Sequence, residues 1–64
     1  MNSKMVKLCV ELDEKQAWAL AQFIKRAGLD QYRPKAVNDE EAYVMRDGAA
    51  KVGAALAEAG YAAR

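Results

Sequence analysis

The chain has 64 residues, with 10 Lys and Arg against 9 Asp and Glu, a formal net charge of +1. A chain of this length makes one domain and buries only about 60% of its unfolded surface, so its stability rests on few large side chains. Near-neutral charge argues against nucleic-acid binding driven by bulk electrostatics, and a single cysteine, Cys9, excludes an internal disulfide or a cysteine-cluster zinc site.

Residues 1–3 read as a polar tail. Over 4–12, Val6, Leu8, Val10 and Leu12 alternate with Lys7, Cys9 and Glu11, the period of two that predicts a β-strand with one apolar face. A lone strand leaves its N–H and C=O groups unpaired, so it requires a partner. Lys35 to Val37 is one candidate, a short second strand inside the chain; a strand of another chain is the other. Asp13, with Gln16 three residues on, forms a capping box that opens a helix over 14–27. Ala17, Leu20, Phe23, Ile24 and Ala27 form its apolar face, and Gly28 followed by Leu29 suits a left-handed C-terminal cap.

The only proline, Pro34, lies in a loop over 29–38. Asn38 and Glu41 then form a second capping box, and Asp39, Glu40 and Glu41 stand at the positive end of a helix dipole, so a second helix is predicted over 39–59. Its stripe is Ala42, Met45, Ala49, Val52, Leu56 and Ala59, closed by Gly60 as cap and Tyr61 as the apolar contact after it. Gly48 and Gly53 interrupt it at about 1 kcal/mol each relative to alanine, which points to close packing there rather than to a kink. The expected class is therefore α/β (α+β), one small domain over 1–64 in the order β-α-α.

Chemistry is poorly provided for. The chain lacks histidine and threonine and its only serine is Ser3, so no Ser-His or Cys-His pair can form, and Cys9 reads as a half-buried inert thiol. The carboxylates cluster where caps explain them. No enzyme activity, cofactor or metal site is expected. Trp18 and Tyr43 are the more informative residues, because both fall off the apolar stripes and aromatics in that position anchor protein interfaces. The competing account has Trp18 covered by the loop and Tyr43 shielding a helix joint. With Asp39, Glu40 and Glu41, these two aromatics make up the candidate partner-binding residues. Tyr32, Arg33 and Lys35, near Lys25 and Arg26, form a small basic patch that reads as solvated loop.

The stretch KLCVELDEKQAWALAQFIKRAGL, within residues 5–28, resembles the first half of a ribbon-helix-helix regulator. That resemblance implies a dimer whose strands pair and whose outward positions, here Lys7, Cys9 and Glu11, read DNA. Only one of the three is basic, and the second helix follows after a longer connection than the pattern has. ELDEKQAWALAQFIKRAG and EAYVMRDGAAKVGAALAEAGYAAR resemble small proteins of phages and integrated elements, among them anti-CRISPR inhibitors of type I surveillance complexes. This second resemblance implies a non-enzymatic inhibitor, a monomer or homodimer, that binds a subunit of a Cascade complex in the cytoplasm of a bacterial host. Direct nucleic-acid binding is not expected under it. The chain has no apolar run near the ~18 residues of a membrane span and no signal-peptide pattern, in keeping with that location.

Overall fold

The computed structural model describes residues 4–63, and its regular structure is entirely helical. The elements are α1 (Glu14–Arg26), α2 (Leu29–Tyr32), a 3-10 turn (Arg33–Lys35) and α3 (Asp39–Glu58). Among the described residues there is no strand, so the expected α/β class with β-α-α order is corrected to a small all-α domain. Residues 4–12 form an arm without regular structure, exposed along its whole length, Cys9 included. The reason lies in the partner. Alternation makes a segment amphipathic, but only a second backbone makes it a strand. Residues 35–37 cannot serve, because Ala36 N–H donates to the Arg33 carbonyl at 3.2 Å and Val37 N–H to Glu41 Oε1 at 2.8 Å. The polar tail expected at 1–3 lies outside the described residues.

Helix α1 starts where its capping box places it. Gln16 N–H donates to Asp13 Oδ1 at 2.8 Å, and Asp13 N–H donates to Gln16 Oε1 at 3.0 Å, satisfying two of the donors that a helix start leaves open. Its end differs from expectation. The cap is Ala27 in extended conformation, and Gly28, at φ −95°, is not left-handed but serves as N-cap of α2. The segment 29–38 is accordingly not a loop throughout: it holds α2 and the 3-10 turn, with Pro34 in the first positions of that turn, where a missing N–H is not needed.

Helix α3 ends on a Schellman motif. Gly60, at φ 103°, adopts the left-handed conformation that lets Gly60 N–H reach the Ala57 carbonyl at 3.0 Å and Tyr61 N–H the Leu56 carbonyl at 2.8 Å. The chain thereby turns back, and Tyr61 and Ala63 pack on the core of Ala17, Ala21 and Leu56, together with Leu20 and Ile24. Ile24 lies over Gly53, while Trp18 lies edge-on to Tyr61 just past the end of α3. Helices α1 and α3 therefore run antiparallel. At the other end of α3, which packs against α2, Ala42 is 0% exposed.

The molecule measures 33 × 27 × 15 Å, a slab too thin to enclose large side chains on every side. Phe23 and Val52, placed on apolar stripes by periodicity, are exposed instead. The two helix glycines divide as well: a Cβ on Gly53 would meet Ile24 Cγ2 at 3.1 Å, whereas one on Gly48 would meet nothing within 4 Å. Close packing explains Gly53 and does not explain Gly48. Gly48→Ala should thus stabilise the domain by about 0.5–1 kcal/mol through helix propensity alone. Gly53→Val should destabilise it by about 1–3 kcal/mol, since the added methyls must displace Ile24. Urea unfolding followed by circular dichroism measures both.

Candidate protein-binding site

The first two turns of α3 collect most of the candidate residues. Asn38 Oδ1 accepts from Glu41 N–H at 2.9 Å, which fixes the helix start, and Glu41 reaches back to Val37 N–H, so its carboxylate is engaged in the cap. Asp39 pairs with Arg33 at 3.5 Å, but both side chains are well exposed and such a pair contributes little. Glu40 projects from the same turn and is exposed. Between these carboxylates lies a shallow depression lined by Val37, Asn38, Glu40, Glu41 and Val44. Val37 is 85% and Val44 64% exposed, a large apolar surface for two valines to leave in water. Tyr43 is exposed beside them, and the Arg46 guanidinium stands 5.1 Å from its ring centroid, within cation–π range.

Trp18 does not join this group. Its ring centroid is 5.1 Å from that of Tyr61, with the planes at 74°, an edge-to-face contact that leaves it half-buried at the far end of the domain. Thirteen residues of helix between Tyr43 and Leu56 amount to about 20 Å of axial rise. The five candidate residues therefore divide into an acidic, apolar cluster at the start of α3 and a packed aromatic pair beyond its end. The basic side chains divide likewise: Arg33 pairs with Asp39, while Arg26 lines a groove between α1 and α2 with Gln22, Phe23 and Gln31.

The chain belongs to a family of unknown function, DUF7706, whose pattern matches residues 1–64. No curated protein and no solved structure matches it. For this DUF7706 protein the site must therefore be read from its own geometry. Among the described residues no group of three or more His, Cys, Asp or Glu side chains is disposed to hold a metal ion, and no helix is long and apolar enough to cross a membrane.

Sequence reasoning missed two features of this surface. Val37 and Val44 were not singled out, although a valine just before the N-cap and another in the second turn off the stripe are a legible signal. The second is a groove in which Leu8, Val10 and Leu12 of the arm lie along Val52, Ala55, Leu56 and Ala59 of α3.

The division of the aromatics generates a prediction. Tyr61→Ala should destabilise the domain by about 1–3 kcal/mol and shift the emission of Trp18, the only tryptophan, to longer wavelength. Tyr43→Ala should leave both the unfolding midpoint and the emission maximum nearly unchanged.

Proposed function

We propose that this DUF7706 protein is a non-enzymatic protein-binding module that acts through the start of α3. The observation that carries the reading is the exposure of Val37 and Val44 in a shallow depression that Glu40, Glu41 and Asn38 also line. Interfaces of moderate size combine an apolar centre with a polar rim, and the sign of the rim selects the partner. A cluster of carboxylates on a helix N-terminus suits a basic groove. The reading is supported further by the lack of histidine and threonine, which removes the usual partners of a nucleophile.

In its specific form, the partner is the basic DNA-engaging channel of a type I CRISPR surveillance complex, and the chain is a stoichiometric inhibitor. Binding an acidic module in such a channel excludes target DNA by competition. Two measurements test this form: the chain expressed in a bacterium with active type I interference should restore transformation by a targeted plasmid, and the purified chain should bind the purified complex. Glu40→Lys should slow association about tenfold and flatten its salt dependence, and Val44→Asp should speed dissociation. Neither variant touches the buried core. Full interference with no binding to the complex overturns the specific form; binding that is indifferent to both substitutions overturns the site.

A further inference from the structure

The groove between α1 and α2 gathers polar side chains that the fold leaves unused. It amounts to about 550 Å³, and Ala19, Gln22, Phe23 and Arg26 of α1 line it together with Ala27 and Gln31. That volume falls within the range of about 300–1,000 Å³ usual for small-ligand sites. The four α1 residues stand three or four apart, on a helix face nearly opposite that of the core residues Ala17 and Ala21. Helix α2 packs on α3 and on the 3-10 turn but not on α1, which leaves the groove open.

Three of the lining side chains have unmet hydrogen-bonding capacity. Gln22 Oε1 is buried without a partner, a state that costs free energy and that turning the amide onto a ligand would relieve. Among the described residues the Gln31 amide and the Arg26 guanidinium enter no hydrogen bond or ion pair. Gln16, the remaining glutamine, bonds the Asp13 cap instead. Beside these groups the Phe23 ring is 59% exposed. No lining residue is acidic, and Asp30, next in sequence to Gln31, holds its carboxylate beside Gly28.

This combination selects a ligand. A guanidinium takes an anion, and its planar fork suits phosphate. An exposed phenyl ring takes a flat partner, and nucleobases stack on such rings. A primary amide matches a ring edge that carries a donor next to an acceptor. Adenine presents that edge in its N6 amino group and N7, whereas the same edge of guanine carries two acceptors, O6 and N7. Gln22 and Arg26 stand one helical turn apart, about 6 Å of axial rise, which leaves room for a ribose between base and phosphate. We propose that the groove between α1 and α2 binds an adenine nucleotide, with Gln22 on the base edge, Phe23 against the ring and Arg26 on the phosphate. One cation suits one phosphate; a nucleic-acid strand calls for a row of them. The lining residues include no nucleophile, so the nucleotide is bound and not transformed. None of the residues at the start of α3 takes part, and the inference stands apart from the function proposed for them.

The test is titration of the full, isotope-labelled chain with adenosine monophosphate, followed by the backbone amide shifts in NMR. Saturable shifts centred on residues 19–31 are expected, with a Kd of about 0.1–1 mM for an open site with few contacts. Guanosine monophosphate should bind about tenfold more weakly, and inorganic phosphate alone should not saturate. Gln22→Met keeps the volume and removes the amide, so it should weaken adenosine monophosphate about tenfold and erase the preference over guanosine monophosphate. The same variant loses a buried, unpartnered oxygen and should fold at least as stably as the parent, which separates a binding defect from a folding defect. Arg26→Gln should weaken adenosine monophosphate about tenfold yet leave adenosine, which has no phosphate, within about twofold. A short single-stranded oligoadenylate should bind within about threefold of the mononucleotide; a gain of about tenfold or more assigns the groove to a strand and overturns the free nucleotide as its ligand. The site itself is overturned by shifts that do not saturate, by equal binding of inorganic phosphate, or by affinity indifferent to Gln22→Met.

Discussion

The close approach of α1 and α3 is the constraint on which the other features depend. Ala17 and Ala21 cluster with Leu56, and Gly53 lets Ile24 settle against the α3 backbone, so the seam between the two helices is filled by a few small and branched side chains. Contact at that distance gains dispersion energy from many atom pairs while burying little apolar area per residue. The remainder follows. A slab built this way has no interior wide enough for Phe23, Val52 or the leucines and valines of the arm, and these residues stay at its surface. The stability of the monomer and the stickiness of its exterior have the same origin.

Local chemistry was the legible part of the fold. Asp13 with Gln16 and Gly60 with Tyr61 mark helix ends through bonds made within three to five residues, and both motifs are present in the structure. The box expected of Asn38 and Glu41 is half formed: Asn38 Oδ1 accepts from Glu41 N–H, but the Glu41 carboxylate accepts from Val37 N–H instead. The other failures concern information that is not local. Whether Val6 to Leu12 forms a strand depends on a second backbone, which no pattern within the segment can supply. Gly28 could serve the end of one helix or the start of another, and the choice turned on whether LDQY after it could make a single helical turn. A four-residue element gives too few positions for periodicity to register.

The candidate site was legible in part for the same reason. The carboxylates at the start of α3 are visible because caps are local, and Tyr43 because it departs from its own stripe. The separation of Trp18 from them was not visible, since it depends on the antiparallel course of α1 and α3 and on the return of Tyr61 over the core. A wheel drawn for one helix shows which residues leave the stripe, but not which neighbour covers them.

The turn at Gly60 gives the residues after α3 a role that a sequence of small side chains conceals. Tyr61 and Ala63 pack on Ala17, Ala21 and Leu56, so the segment beyond the helix is a clasp over the open end of the helix pair rather than a tail. A peptide bond inside that clasp presents itself to a protease only when the clasp lifts from the core. Endoproteolytic nicking just past Gly60 would therefore follow how often this end of the domain is open, and a nicked chain would lose the aromatic cover of Trp18.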